Sequence, residues 1–226
     1  MAFRKINLSE ENIRDFVGGD GKYLTQSGIY EVILKAVIVE QSPKGSEFLN
    51  LWIEHQGQTQ PIYQAIRLTN NDGTPNLGEK LFFKMASVCG AVNGADISDP
   101  TPRNIPMGAE GAEVECMVLE DFTDTPVHIR IQMEYSMYEG KIQQSKIVRN
   151  FFRFEDKATA QEIVNGTDVG KQYEKELELG GKVSYKNGLT EEDIKAWIAD
   201  RRSGKKETDK KPAAGFGSQK KFGAKK

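Results

Sequence analysis

Aromatic and basic side chains alternate with aliphatic ones along two neighbouring strand-like segments of this chain. In Glu47–His55 the aliphatic residues occupy one face, which leaves Phe48 and Trp52 on the other. Tyr63 and Arg67 fall on the corresponding face of the segment that follows. Exposed rings stack on nucleic-acid bases and arginine binds phosphate, so this pattern predicts a surface for single strands.

Arg149, Phe151 and Arg153 form a second group of this kind within the sequence KIVRNFFRF. The combined platform would comprise Phe48, Trp52, Tyr63, Arg67, Arg149, Phe151 and Arg153. Each stacked base contributes about 1–3 kcal/mol, so two or three of them would supply several kcal/mol even on a body that is acidic overall. The alternative is a second layer that buries these rings as core, and Trp52 is the ring that such a layer would cover first.

Residue types that enzymes use are sparse and scattered. His55 and His128 lie in strand patterns without a motif around them, and Cys89 and Cys116 are too few for a zinc site or a disulfide framework. No glycine-rich phosphate loop is present. The sequence therefore predicts a protein that is not an enzyme and holds no metal or cofactor. A metal-dependent nuclease built from scattered carboxylates remains as an alternative.

No part of the sequence resembles a membrane span or a secretory signal. There is no run of about 18 apolar residues, and the opening MAFRKINLSEEN lacks an apolar segment behind its basic residues. Two cysteines are also too few for the disulfide framework of a small secreted protein. The expected location is the cytoplasm.

The alternation of apolar and polar residues predicts mostly β-strands with one helix after the third strand. The predicted strands are Ser27–Gln41, Glu47–His55, Pro61–Leu68, Ala112–Asp121, Pro126–Tyr135 and Gln144–Phe154. The predicted helix covers residues 79–92, with Leu81, Phe82, Met85 and Val88 on its core face, and residues 93–112 are predicted to be irregular. This order matches a mainly β fold with α-helices, an OB-like Greek-key barrel of five or six strands with one inserted helix. A mixed α+β sandwich would give a similar order and remains open.

The net charge of −2 conceals two oppositely charged regions. Residues 201–226 hold ten Lys or Arg against two acidic residues, a charge of +8 that leaves −10 on the rest. The predicted division is an N-terminal segment (1–24), an OB-like barrel domain (25–156), a helical extension (157–203) and a disordered basic tail (204–226). Such a tail either improves solubility or contacts a polyanion.

Two capping motifs begin the predicted helices of the extension. Thr159-x-x-Glu162 predicts a single helical turn, closed by a glycine. Thr190-x-x-Asp193 predicts a longer helix whose apolar stripe includes Trp197. That stripe requires a partner surface, either within the chain or on another protein.

Two stretches of the chain resemble a known family. SGIYEVILKAVIVEQSPKGSEFLNLWIE is similar to the opening hairpin of bacteriophage single-stranded DNA-binding proteins of the OB-fold type, and RNFFRFEDKATAQEIVNG is similar to their later strand and short helix. The likeness runs over residues 25–170. It implies sequence-independent coating of single-stranded DNA during phage DNA replication or recombination, with no cofactor. The site residues it implies are Trp52, Tyr63, Arg67, Arg149, Phe151 and Arg153, together with Phe48.

The same resemblance implies the partners. They are single-stranded DNA, replication or recombination proteins, and further copies of the chain along the strand, with no membrane. Many proteins of this family end in an acidic tail, whereas the tail here is basic. The alternative function is therefore a structural or adaptor protein, for instance a virion or assembly component, that docks through its basic tail and the Thr190–Arg202 helix.

Overall fold

The computed structural model describes residues 23–107 and 111–202. It is mainly β with some helices. Its strands are β1 (Gly28–Gln41), β2 (Glu47–His55), β3 (Gln58–Arg67), β4 (Thr101–Ile105), β5 (Val114–Val118), β6 (Thr125–Tyr138), β7 (Lys141–Arg153) and β8 (Ser184–Tyr185). Its helices are α1 (Gly78–Val88), α2 (Ala160–Asn165), α3 (Lys171–Leu179) and α4 (Glu191–Arg202), and a 3-10 turn covers Glu120–Phe122. None of the helices in the described ranges combines the length and the apolar character needed to cross a membrane.

The long strand β1 organises the sheet because it pairs with three others. Its first half pairs antiparallel with β6, its second half pairs antiparallel with β2, and Ile38 and Val39 pair with β5. On the remaining edges, β3 pairs with β2, β4 with β5, and β7 with β6, while β8 lies parallel to β6. Among the described residues, β3 and β7 have no second strand neighbour. The hydrogen-bonded ladder is therefore an open sheet of eight strands, where the sequence predicted a closed barrel of five or six.

Two compact units divide the described chain. The first comprises the described residues up to Met133 together with Lys146–Val183. The second comprises Glu134–Ser145 and the described residues from Ser184 onward. The surface predicted to bind nucleic acid lies in the first unit. Residues 1–22 and 203–226, which include most of the predicted N-terminal segment and the whole predicted tail, lie outside the described residues.

The core of the first unit lies on the inward face of the strands. Side chains at alternate positions point to the same side of a strand, so one face of each strand can be wholly apolar. On β2 and β3 these buried residues are Leu49, Leu51, Ile53, Ile62 and Ile66, and on β6 they are Val127, Ile129 and Ile131. The face assignment predicted for β2 from its alternation is confirmed, and its bounds are those predicted.

Helix α1 is shorter than predicted. It ends at Val88, and Gly90 then adopts a φ of 98°, a left-handed conformation that ends helices and that glycine takes without strain. Val92, predicted to belong to the helix, is therefore 74% exposed. Of the predicted core face, Met85 and Val88 are buried, whereas Leu81 and Phe82 are only half-buried.

The elements missed from the sequence are strand β4, helix α3, the two-residue strand β8 and the 3-10 turn. Strand β4 lies inside the segment predicted to be irregular and pairs with β5 over its full length. Its sequence TPRNI contains a proline and few residues that favour strands, so its pairing depends on the partner strand. Helix α3 is strongly polar, and its buried Glu176 bonds Arg130 of β6 and Asn150 of β7.

In the second unit, α4 begins where the sequence predicted. Thr190 Oγ1 accepts a hydrogen bond from Asp193 N at 3.2 Å, and Thr190 N donates one to Asp193 Oδ2 at 3.0 Å. The ring of Tyr135 stacks on Tyr185 and meets Trp197 edge-on, both at centroid distances of 6.1 Å. The stripe that carries Trp197 therefore has an intramolecular partner.

Phe122 and Phe82 provide a graded test of this core. Their rings meet edge-on at 5.9 Å, but Phe122 is fully buried and Phe82 is not. We expect Phe122→Ala to lower the free energy of unfolding by about 3–5 kcal/mol. We expect Phe82→Ala to lower the free energy of unfolding by only about 1–2 kcal/mol, because folding removes less apolar surface of Phe82 than of Phe122 from water. Urea unfolding measures both, and equal losses would contradict the burial of Phe122.

The predicted capping box of α2 is present and yields a pH test. Thr159 N donates to Glu162 Oε2 at 2.8 Å and Gln172 N donates to its Oε1 at 2.9 Å. Burial acts to raise the pKa of Glu162, but these hydrogen bonds outweigh it and the pKa lies below its usual value. The ionised Glu162 side chain therefore stabilises the folded protein. This contribution to the free energy of unfolding is fully present above the unfolded-state pKa of about 4.3 and is lost as pH falls through the lower folded-state pKa. Glu162→Gln should therefore destabilise the protein at pH 7, by about 1–3 kcal/mol, and progressively less in acid. A pH-independent loss in urea titrations would contradict this account.

Candidate nucleic-acid interface

Trp52 is not part of an exposed surface. It lies on the outward face of β2 as predicted, opposite Ala36 of β1, but it is only 8% exposed. The hairpin of β4 and β5 supplies Ile105, Cys116 and Val118 to the cluster that buries it. The prediction that this ring is available for stacking is therefore wrong, because apolar side chains of the β4–β5 hairpin cover that part of the face.

The second predicted group, on β7, is also largely occupied. Phe151 is 0% exposed, so its predicted exposure is wrong too. The neighbouring Phe152 packs edge-on against Tyr173 of α3 at 5.1 Å. Arg153 forms an ion pair with Asp156, with Nε donating to Oδ1 at 2.9 Å. The alternation expected for β7 fails here because residues 150, 151 and 152 are all buried.

An exposed part of the predicted surface remains where the start of β2 pairs with the end of β3. Phe48 and Arg67 are directly opposite each other in the ladder, on the outward side. Tyr63 lies on the same side of β3 and is 60% exposed, whereas Phe48 is half-buried and Arg67 is exposed. The structure thus brings together Tyr63, Arg67 and Phe48, which we call the outward β2–β3 face. No strand pairing joins Arg149 to this face.

A bulge in β3 lies beside Tyr63. Between the pairs that join Leu51 to Ile62 and Leu49 to Ile66, β2 has one residue and β3 has three. The one residue is Asn50, which is buried and whose Oδ1 accepts a hydrogen bond from Gln64 N at 2.6 Å. Gln64 adopts a φ of 48° in this bulge. Bulges re-aim side chains and are common beside functional sites. The sequence clue was a lone polar residue between two core leucines.

Arg67 is held in place without losing its charge. Its Nε donates to Thr69 O at 3.1 Å and its Nη2 donates to Asn71 Oδ1 at 3.0 Å, and both acceptors are neutral. Arg149 is similar, since its Nε donates to Gln132 Oε1 at 2.7 Å. Arg153, by contrast, is neutralised by Asp156. Of the three arginines predicted to bind phosphate, Arg67 and Arg149 therefore have no carboxylate partner among the residues that the structure describes.

The loop that positions Arg67 is organised by its own side chains. Thr74 donates to Asp72 Oδ1 from its N at 3.0 Å and from its hydroxyl at 2.7 Å. These hydrogen bonds lower the pKa of Asp72. Asn76 N donates to Leu68 O at 2.7 Å, which closes the loop onto the end of β3. The acceptors of Arg67 are thus fixed before any ligand arrives.

Gly78 allows α1 to start directly against β3. A Cβ at this position would lie 2.2 Å from the carbonyl oxygen of Arg67 and 2.9 Å from its nitrogen. Only a residue without a side chain fits at these distances. The first turn of α1 is therefore packed on the backbone of the residue that carries the guanidinium.

Other parts of the described chain offer little to catalysis. No group of three or more His, Cys, Asp or Glu in the described ranges could hold a metal ion. His128 is buried and stacks on Phe154, and burial lowers its pKa. Burial also raises the pKa of Cys89 to about 12, so its thiol stays protonated. A cleft of about 290 Å³ has Glu31 and Glu54 in its walls, which disfavours a polyanion there.

The outward β2–β3 face can stack a base on Tyr63 and bind a phosphate through Arg67. No protein-family model matches this chain, and no curated protein matches it.

Gly78→Ala tests the packing beneath Arg67. The added methyl group would overlap backbone atoms that cannot rotate away, so we expect a loss of about 1–3 kcal/mol in the free energy of unfolding. Gly181→Ala is the matched control, since a Cβ there meets no atom within 4 Å. Thermal and urea unfolding compare the two variants. Equal stability of both would contradict the close approach of α1 to β3.

Proposed function

We propose that this chain binds single-stranded DNA without sequence preference, coating single strands during phage DNA replication or recombination. The observation that carries the proposal is the outward β2–β3 face, where an exposed ring and an uncompensated guanidinium share one side of two paired strands. A ring stacks on any base and an arginine binds any phosphate, so this pair of contacts holds a strand without reading its sequence.

The strand connections support an OB-like assignment. Three consecutive strands form a meander, a helix follows the third, and β6 then returns to β1 with β7 beside it. OB-folds are partly open barrels that bind oligonucleotides on the face of their second and third strands. The unpaired edges of β3 and β7 are linked by Lys146 Nζ, which donates to Gln60 Oε1 at 3.0 Å. We propose a partly open OB-like barrel in which the β4–β5 hairpin is an insertion.

The outward β2–β3 face alone supplies only part of the free energy that tight binding to a single strand requires. Micromolar binding corresponds to about 8 kcal/mol. One stacked base supplies about 1–3 kcal/mol, so most of that free energy must come from further contacts. Arg149 is one source, and adjacent copies on the same strand are another. The proposal therefore includes contacts beyond Tyr63 and Arg67.

The alternative function is an adaptor that docks through its tail and last helix. One of the two observations that favoured it, the unpartnered stripe of the last helix, no longer does so. The stripe of α4 packs against Tyr135 through Trp197, so it does not need another protein. Only the basic tail still motivates that alternative.

Tyr63→Ala, Tyr63→Phe and Arg67→Gln test the proposal. We expect Tyr63→Ala to weaken binding to oligo-dT about 5- to 150-fold and Tyr63→Phe to leave it near wild type, because only the first removes the ring. Arg67→Gln should reduce the log–log salt slope by about 0.7, the value of one phosphate contact on a single strand. Fluorescence anisotropy of labelled oligo-dT across a salt series measures all three.

Arg153→Gln is the control for charge. It makes the same change in net charge as Arg67→Gln, but its guanidinium is already paired with Asp156. The salt slope should stay unchanged. Equal wild-type affinity for duplex and single strand, or wild-type affinity in Tyr63→Ala, would overturn the proposal.

A further inference from the structure

Helix α1 carries an exposed aromatic ring between two lysines. Phe83 is 57% exposed, although the opposite side of the helix is buried through Met85 and Val88. Lys80 and Lys84 are exposed as well, one helical turn apart. Neither lysine forms an ion pair with any residue in the described ranges. The only acidic residue of α1 is Glu79, so the helix has a net positive charge.

This patch lies close to the outward β2–β3 face. Gly78 packs on the backbone of Arg67, so the first turn of α1 begins at that residue. A helix rises 1.5 Å per residue, which places Phe83 about 7.5 Å further along the axis. Five residues also turn the chain through about 500°, which places Phe83 about 140° around the helix axis from the side that contacts Arg67. A strand that runs from Arg67 over α1 would reach this side within a few nucleotides.

We propose that the single strand held by Tyr63 and Arg67 continues over α1, where Phe83 stacks a further base and Lys80 and Lys84 bind the flanking phosphates. This inference rests on the proposed function. It supplies part of the binding free energy that the β2–β3 face alone lacks. A ring with two lysines on one side of it offers a base-stacking surface next to cations that bind phosphate, and Arg67 adds a third cation near the start of the helix.

The first test uses oligo-dT of two lengths and the variant Phe83→Ala. Single OB-folds engage about 4–16 nucleotides, so an oligomer of about four can be held by the β2–β3 face alone. Phe83→Ala should weaken binding to an oligomer of about sixteen at least fivefold and leave binding to the short one unchanged. Leu177→Ala on α3 is the control, because it removes another exposed apolar side chain. Its affinity should equal that of wild type.

The second test addresses the lysines. Lys80→Gln with Lys84→Gln should lower the log–log salt slope for the long oligomer by about 1.4, the value of two phosphate contacts. Lys171→Gln with Lys175→Gln is the matched control, since it removes two exposed lysines with the same spacing from α3. This pair should leave the slope unchanged.

The third variant, Phe83→Trp, reports on the position directly. Its emission, measured as the difference from wild type, should be quenched by the long oligomer because a base stacks on the indole. Unchanged affinity in Phe83→Ala together with unquenched Phe83→Trp overturns the inference, and a loss in Tyr63→Ala in the same assay leaves the proposed function standing. Failure of the wild type to bind either oligomer overturns both.

Discussion

The apolar side chains that the β4–β5 hairpin packs against Trp52 decide which aromatic ring of the β2–β3 pair reaches solvent. Tyr63 points to the same outward side because it directly follows the inward-facing Ile62, and it is 60% exposed. The buried Asn50 accepts a hydrogen bond from Gln64 N through its Oδ1, which satisfies its side chain and holds the bulge that follows Tyr63 in β3. The candidate surface thus depends on which outward side chains the hairpin covers.

The charges of their hydrogen-bond partners determine which of the predicted arginines can bind phosphate. The five arginines in the strands of the described chain differ in the charge of their partners. Arg103, Arg130 and Arg153 bond carboxylates, whereas Arg67 and Arg149 bond neutral oxygens. A neutral acceptor orients the guanidinium and leaves its charge for a ligand. At physiological salt the screening length is about 8 Å, so local cations can bind phosphate even though residues 1–200 carry a net charge of −10.

Local patterns were enough to predict much of the fold. The alternation in β2 gave its bounds and its inward face, and the capping residues Thr159 and Thr190 placed the starts of α2 and α4. Contacts between distant segments were not visible in those patterns. Trp52 was assigned to an exposed surface because nothing in the sequence near it indicates that the β4–β5 hairpin covers it. Phe151 was assigned to the same surface because nothing near it indicates that β7 is buried on both faces at this point. Helix α3 was missed for the same reason, since its buried residue is a glutamate that is stabilised by Arg130 and Asn150.

The central claim is that Tyr63 contacts the bases of a single strand. Incorporation of 3-fluorotyrosine, with the Tyr63 resonance assigned through the Tyr63→Phe variant, lets fluorine NMR follow each ring separately during titration with oligo-dT. The account predicts a large shift of the Tyr63 resonance at the stoichiometry of binding, while the buried ring of Tyr135 stays where it is. A titration that shifts other tyrosines and leaves Tyr63 unchanged would contradict it.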